Sequence, residues 1–281
     1  MTNPSEQPRK LKVFGERNTA TRAVMQMLRA LDQVSLSMPR GEAGDRDRME
    51  AHIRQHMKGM SLKLFMDALE DIKHAQTGGM SDWKHAAPRI DDSYKALEAS
   101  VIFLVRNPYS WIWSLAEHPY HARAPWVGDL GVFMARPWLS VARENIAPIL
   151  YSPMELWNIK LRRYRSFSAV PSQVLHFEDF VQAPVKSLSA ILRGFDISPE
   201  GLAEIARPIK AHAAAPEKRK AFYADEGWKA YFCADTIAQA NALIDWEVAA
   251  AYGYARLDPA DFPARASRQI INKLQPEAGQ S

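Results

Sequence analysis

The residues best suited to chemistry come early, in Gly15-Glu16-Arg17-Asn18-Thr19-Ala20-Thr21-Arg22. A glycine ends a strand-like run (Leu11, Val13, Phe14). Two guanidinium groups and two hydroxyls follow, and then an amphipathic stretch (Ala23, Val24, Met27, Leu28, Ala30, Leu31). Strand, tight turn and helix start is a geometry for holding an anion. The first N–H groups of a helix have no intrahelical acceptor, and the helix dipole favours negative charge there. Thr19 and Thr21 add hydroxyl donors, and Arg17 and Arg22 add charge. Many α/β proteins contain such a turn and bind nothing through it, so the loop needs support from elsewhere in the chain.

Three other stretches offer that support. Arg106-Asn107-Pro108-Tyr109-Ser110-Trp111-Ile112-Trp113-Ser114 puts a guanidinium at a strand tip and a hydroxyl eight residues on, a pair suited to one phosphate. Lys218-Arg219-Lys220 is a dense basic run, although such runs commonly form a solvated face. Trp83-Lys84-His85-Ala86-Ala87-Pro88 contains a histidine, whose ordinary pKa of ~6.5 lets it accept a proton at neutral pH.

The elements that must position these residues read as follows. Lys10–Phe14 is a strand, about 19–32 a helix and Gln33–Met38 a second short strand. Pro39–Glu50 is a charged loop. Apolar residues at 62, 64, 65, 69 and 72 give a helix over Leu62–Ile72, ended by Gly78-Gly79. Ser81–Pro88 reads as a short strand and its following loop. Val101-Ile102-Phe103-Leu104-Val105 is the strongest strand signal, a continuous β-branched and aromatic run of the kind buried on both faces. A helix follows near Ser110, and 117–150 is an irregular, proline- and aromatic-rich excursion. Met154–Phe167 is a helix, Ser172–Phe177 a strand and Val185–Leu192 a helix introduced by Pro184. Leu202–Ile209 and Thr236–Ala251 are further helices. Strands alternating with helices predict an α/β fold with a central parallel sheet flanked by helices. Ligands of such sheets sit at the carboxyl ends of the strands, here 15–22, 84–88, 106–110 and 177–180.

Composition narrows the classes. The 281 residues are 47% hydrophobic and 24% charged, as in an ordinary globular chain. No apolar run approaches the ~20 residues that span a bilayer, and the polar first ten residues do not read as a signal peptide. One cysteine, Cys233, excludes an intrachain disulfide and a cysteine-rich metal site, which fits a reducing cytoplasm. Net charge is +4 with a pI near 9.1. That suits an anionic ligand and lacks the dense basic clustering of a nucleic-acid binder. The chain divides into a disordered tail over 1–9, one α/β domain over 10–256 and a C-terminal extension over 257–281.

Taken together, the motifs resemble a known family. Gly15-Glu-Arg-Asn-Thr-Ala-Thr is similar to the loop that binds the 5′-phosphosulfate end of the donor in sulfotransferases. The bacterial Gly-Glu-Arg-Asn-Thr-Gly-Thr type is the nearest match. Leu104-Val105-Arg106-Asn107-Pro108 with Ser114 resembles the 3′-phosphate motif. Val174-Leu-His-Phe177-Glu-Asp-Phe180 before Ala183-Pro184 resembles the strand ending in Tyr-Glu-Asp-Leu. Lys218–Lys220, Gly227-Trp228-Lys229-Ala230-Tyr231-Phe232 and Gly253-Tyr254 resemble the basic loop, the Trp-Lys segment and the Gly-Tyr ending. The resemblance spans roughly 10–256. It implies the P-loop nucleotide kinase-like sulfotransferase fold.

The implied donor is 3′-phosphoadenosine 5′-phosphosulfate (PAPS), and the product is adenosine 3′,5′-bisphosphate (PAP). The implied acceptor is a hydroxyl, or an amine, of a small molecule or glycan, walled by 39–80 and 117–150. Transfer is in line and the family needs no metal. Arg17 takes the place of the loop cation at the leaving oxygen, although aligning the threonines puts Asn18 there, and Arg22 is the other source of charge. Thr19 and Thr21, with the backbone N–H groups of 19–22, hold the 5′-phosphate. Ala20 stands where the family has glycine, and is strained if its φ is positive. Arg106, Ser114 and Lys218–Lys220, Arg219 foremost, hold the 3′-phosphate. Phe177 replaces a tyrosine near adenine, and Trp83 and Trp157 are further rings able to stack. His85 is the base and Lys84 a contact to the transferring group. Glu117, His118 and His121 are rivals that fit the acceptor pocket better, whereas His74 and His176 read as structural. Two other readings compete. A P-loop kinase lacks its Gly-Lys-Ser/Thr signature here, since the run is Thr19-Ala20-Thr21-Arg22. A catalytically silent nucleotide- or partner-binding member stays open because of Asn18 and Ala20.

Overall fold

The computed structural model describes residues 7–36, 48–49, 51–52, 55–56, 62–75, 82–119, 129–205 and 216–270. In chain order the main elements begin with β1 (Arg9–Gly15), α1 (Thr21–Arg29), β2 (Val34–Leu36), α2 (Leu62–Ala75) and the single-turn α3 (Ser93–Ala96). Next come β3 (Ser100–Val105), α4 (Pro108–Glu117), α5 (Leu130–Ala135), β4 (Trp138–Leu139) and β5 (Ile149–Leu150). Then follow α6 (Pro153–Arg165), β6 (Ser172–His176), α7 (Phe177–Gln182), α8 (Pro184–Arg193), α9 (Pro216–Ala224), α10 (Ala234–Leu243) and α11 (Trp246–Ala251). Contacts divide the chain into two compact units.

The first unit comprises Met1–Pro39, Thr77–Arg106 and Arg163–Gly227. Its sheet has four parallel strands in the order β2-β1-β3-β6, as the α/β pattern predicts. The period-2 alternation of β1 explains both of its faces. Leu11 and Val13 enter an aliphatic core with Val24, Leu28, Ile102, Leu104, Leu188 and Leu192. Phe14 belongs to an aromatic layer, 5.9 Å from Phe103, which in turn lies 4.6 Å from Tyr164 and 5.3 Å from Phe167. Both faces of β3 are therefore covered, which is why its sequence is apolar without interruption. The chain leaves β1 for β2 on one side and later enters β3 on the other. The strand order thus reverses between β1 and β3, and in such sheets the crevice beyond those two carboxyl ends is where a ligand is received. Gly15 pairs with Leu104 there, so the ends are level.

The second unit comprises Arg40–Gln76, Asn107–Arg162 and Trp228–Ser281. Its α4 is buried from Pro108 to Ala116. The Asn107-Pro108 pair starts it: Pro108 occupies the first turn, and Asn107 Oδ1 accepts from the N–H groups of Tyr109 (3.0 Å) and Ser110 (3.2 Å). Strands β4 and β5 form an antiparallel pair. Arg143 bridges Asp67 (2.6 Å) and Asp71 (2.8 Å), and Lys160 meets Glu144 at 3.1 Å with both side chains fully buried.

Several expectations fail for identifiable reasons. Thr236–Ala251 is two helices, because Ile244 is extended and Asp245 caps a new start by accepting from Val248 N–H at 3.2 Å. Leu202–Ile205 is irregular rather than helical. Gly201 at φ +83° turns the chain, and Leu202 N–H returns to Pro199 O. Ser81–Pro88 contains no strand in its described residues; 84–86 is a turn. The stretch 117–150 is more regular than expected, carrying α5 and the β4–β5 pair. Arg9 already belongs to β1, and Leu257 in the C-terminal extension donates its N–H to Tyr109 Oη at 3.0 Å. His121, residues 1–6, most of 39–61, 76–81, 206–215 and 271–281 lie outside the described residues.

Candidate functional site

The site is built where β1 ends. A Cβ on Gly15 would lie 2.8 Å from Leu104 Cβ, 2.8 Å from Thr19 Oγ1 and 2.9 Å from Thr21 Cγ2, so only glycine lets the loop fold back onto the strand ends. Thr19 Oγ1 donates to Glu16 O at 2.5 Å and stitches the turn. Asn18 (φ +66°) and Ala20 (φ +63°) are both left-handed. Asparagine tolerates that region, whereas alanine sits there at a cost of roughly 1–2 kcal/mol. Ala20 is the N-cap of α1 and offers no side-chain acceptor, so neither threonine caps the helix. Ala20 O accepts from Ala23 N–H (2.9 Å) and Val24 N–H (3.1 Å). The first turn of α1 contains no acidic residue.

The turn bearing Trp83, Lys84 and His85 meets this loop through the Gly15 peptide. Gly15 N–H donates to Lys84 O at 2.9 Å, and His85 Nδ1 lies 2.6 Å from Gly15 O. A carbonyl can only accept, so Nδ1 carries the hydrogen, and in the neutral ring Nε2 is the basic nitrogen. His85 is buried. Trp83 sits edge-on to it at 4.8 Å, and the Arg17 guanidinium covers the Trp83 ring at 4.8 Å. Sequence reasoning thus brought Arg17, Lys84 and His85 to one place, although through a turn and not a strand end.

The electrostatics of this place are one-sided. Burial pushes the Lys84 ammonium down to about 8, and Arg22, Arg17 and Arg29 push in the same direction. Crowded cations at a helix start form a region that an anion would relieve.

At the end of β3, Arg106 is buried. Its Nη1 donates to Asn18 O at 2.6 Å and its Nη2 to Tyr223 Oη at 3.0 Å. The guanidinium lies 4.3 Å over Phe177 and 5.0 Å over Tyr223, and those rings meet edge to face at 4.9 Å. Arg106 therefore braces the left-handed loop, and Phe177 is the surface it rests on. Tyr223 was missed in the sequence. The available signal was helical: Tyr223 stands four residues after Arg219 on α9, hence on the same face. Lys218, Arg219 and Lys220 are all exposed on that helix. Ser114 is buried in α4 of the second unit, and Asn107 is occupied as the cap of that helix.

The remaining candidates are placed as follows. Trp157 is a fully buried core residue, not an open stacking surface, with its ring 6.3 Å from Tyr254. His74 is buried on α2, 3.7 Å from Glu70 one turn earlier. Glu117 ends α4, His118 caps it, and His176 ends β6. Among the described residues no group of three or more His, Cys, Asp or Glu converges to hold a metal ion, and no helix is long and apolar enough to cross a membrane.

No protein-family model matches the chain, and no curated protein sequence matches it. Solved structures that resemble it include three sulfotransferases. The sulfotransferase from Alicyclobacillus acidocaldarius is 14% identical with a TM-score of 0.38, over 85% of this chain and 96% of that one. The sulfotransferase domain from the curacin biosynthetic pathway is 12% identical with a TM-score of 0.41, over 90% of this chain and 100% of that one. The sulfotransferase domain of the Synechococcus PCC 7002 olefin synthase is 15% identical with a TM-score of 0.37, over 86% and 97%. At these identities and TM-scores the function has to be argued from the chain's own residues.

Proposed function

We propose that this chain is a sulfotransferase that moves a sulfuryl group from PAPS to a hydroxyl or amine of a small molecule or glycan, with His85 as base. The observation that carries the reading is the Gly15 peptide. The main chain of this one residue ends the anion loop's strand: its C=O accepts from His85 Nδ1 and its N–H donates to Lys84 O. A proton acceptor is thereby docked on an anion loop at the point where the sheet's strand order reverses.

Arg17, Arg22 and Lys84 hold the negatively charged 5′ end, with the backbone N–H groups of Asn18–Arg22 and the Thr21 hydroxyl beside them. Thr19 serves the same loop from behind, through its bond to Glu16 O. Arg106, carried on Phe177 and Tyr223, is the 3′-phosphate cation, with Arg219, Lys218 and Lys220 as its companions. In the reaction the acceptor oxygen or nitrogen attacks sulfur as the bond from sulfur to the bridging oxygen breaks. The electron pair stays on that oxygen, giving PAP, and the acceptor's proton passes to His85 Nε2. Arg17 and Lys84 stabilise the charge developing on the leaving oxygen.

A silent nucleotide binder is the second reading. It is favoured by Ala20 at φ +63° and by the bonds Arg106 already makes to Asn18 O and Tyr223 Oη. Calorimetric titration with PAP in EDTA, beside ATP·Mg²⁺, and an assay of labelled sulfate transfer to a panel of hydroxyl and amine acceptors decide between them. PAP binding that survives EDTA is expected. Arg106→Ala should weaken it at least tenfold, since a charged hydrogen bond contributes ~1.5–3 kcal/mol. His85→Ala should spare PAP binding and abolish transfer. ATP preference would overturn the donor, and PAP binding with no transfer to any acceptor would favour the silent binder.

A further inference from the structure

We infer that Lys12, Asp82 and Arg89 form a positioning network that fixes the His85 turn against β1. The inference rests on the reading of His85 as base. Asp82 and Arg89 bracket the turn. Asp82 Oδ2 accepts from Arg89 N–H at 2.9 Å, and Oδ1 accepts from Arg89 Nε at 2.7 Å. Arg89 Nη2 lies 2.5 Å from the same Oδ1. One carboxylate thus closes an eight-residue loop that carries Trp83, Lys84 and His85 between its ends.

Lys12 ties that closed loop to the sheet. It lies on β1, one residue off the aliphatic core, with its ammonium 5.2 Å over Phe14. Nζ donates to Asp82 O at 2.5 Å. Lys12 and the Asp82 side chain are almost entirely removed from solvent, 2% and 0% exposed, while the Arg89 side chain is 35% exposed. A lysine in the middle of a strand with both faces covered is costly to bury. An apolar residue would serve the sheet better if packing were the only requirement. What Lys12 adds is a fixed point for Asp82 O, three residues before His85.

The base turn is then held at four points. Lys12 and Arg89 fix Asp82, and the two bonds of the Gly15 peptide fix Lys84 and His85. Base geometry matters steeply, because a misplacement of ~1 Å can cost on the order of a hundredfold in rate. The Asp82–Arg89 bonds join the two ends of the base turn. Their loss should therefore appear in turnover and not in nucleotide affinity.

The test uses the full-length chain. Arg89→Gln is the principal variant because its partly exposed side chain can be replaced without leaving a buried cavity, and Asp82→Asn and Arg89→Lys accompany it. Three quantities are read: kcat for sulfuryl transfer from PAPS, the Kd for PAP, and the Nδ1–H and ring-nitrogen NMR resonances of His85. Arg89→Gln should lower kcat at least tenfold, leave the PAP Kd within about twofold, and weaken the Nδ1–H signal through faster exchange. Arg89→Lys should recover part of the loss. An unchanged kcat, or a Kd that weakens in step with kcat, overturns the network's role. If the unaltered chain transfers no sulfate to any acceptor, the enzyme reading fails. The NMR comparison still decides whether Arg89 positions His85: resonances identical in Arg89→Gln and the unaltered chain overturn it.

Discussion

Lys160 in the second unit is fully buried and Lys84 in the first is partly buried, and their charged surroundings are opposite. Lys160 faces the fully buried Glu144 at 3.1 Å, and Glu144 also accepts from Val141 N–H at 3.3 Å. Lys84 is pressed by Arg22, Arg17 and Arg29, and the crowding adds to burial in lowering its pKa to about 8. A buried cation with a carboxylate beside it is a piece of architecture. A partly buried cation pressed by other cations is one whose charged form an anion would favour. The contrast separates a paired charge from a crowded one, which charge counting does not.

Three experiments bear on that contrast. The largest effect is expected at the buried pair. Glu144→Ala removes the carboxylate facing the buried Lys160 ammonium, which should cost about 3–5 kcal/mol in urea unfolding while leaving the PAP affinity of the surviving folded protein unchanged. Loss of PAP affinity in that folded fraction would mean that the pair is not purely structural.

A smaller effect of opposite sign is expected at the crowded lysine. Lys84→Met should leave the ligand-free protein as stable or more stable and weaken PAP binding several-fold. The pH dependence follows from the same pKa. Lys84 is charged in the unfolded chain up to its ordinary value of 10.5 and in the folded chain only up to about 8. Between those values the unfolded state holds the extra proton, so this group's contribution to stability rises as pH goes from 8 towards 10.5. A bound anion favours the charged form and raises the pKa again. PAP should therefore bind more tightly at pH 7 than at pH 9, with net proton uptake near pH 8, measurable by calorimetry in buffers of different ionisation enthalpy. PH-independent binding in the wild type, or the same dependence in Lys84→Met, would remove Lys84 from the site.

The smallest effect concerns the loop itself. Ala20→Gly relieves a left-handed alanine and should raise stability by about 1 kcal/mol, partly offset by the greater freedom of glycine when unfolded. Thermal unfolding with and without PAP reads it. A destabilised Ala20→Gly would show that the methyl group is needed for packing beside α1.

Much of this was legible in the residues alone, and the exceptions are instructive. The uninterrupted run Val101–Val105 announces a strand covered on both sides, and Gly15 before Arg17 announces a loop against it. Both readings follow from local chemistry. The turn at 84–86 was not legible, because its conformation depends on Lys12 and Gly15, some 70 residues earlier. The same holds for Tyr223, whose meeting with Arg106 spans 117 residues. The left-handed φ of Ala20 could be posed as a question but not answered, since alanine gives no local sign of it. Phe177 also lies under the Arg106 guanidinium, a contact that only packing reveals.

The joint between loop and base has one more property. Its two hydrogen bonds use the N–H and C=O of Gly15 and the C=O of Lys84, and only His85 contributes a side chain. Alanine scanning deletes side chains and leaves main-chain groups in place. A scan of the loop would therefore remove the side chains of Arg17, Thr19 and Arg22 and pass over the joint that sets the loop against His85. The tight fit around Gly15 means that substituting it perturbs the whole turn at once, so the scan would report a folding defect there. The most consequential contact in the site is thus written in the backbone, where mutagenesis one side chain at a time does not read.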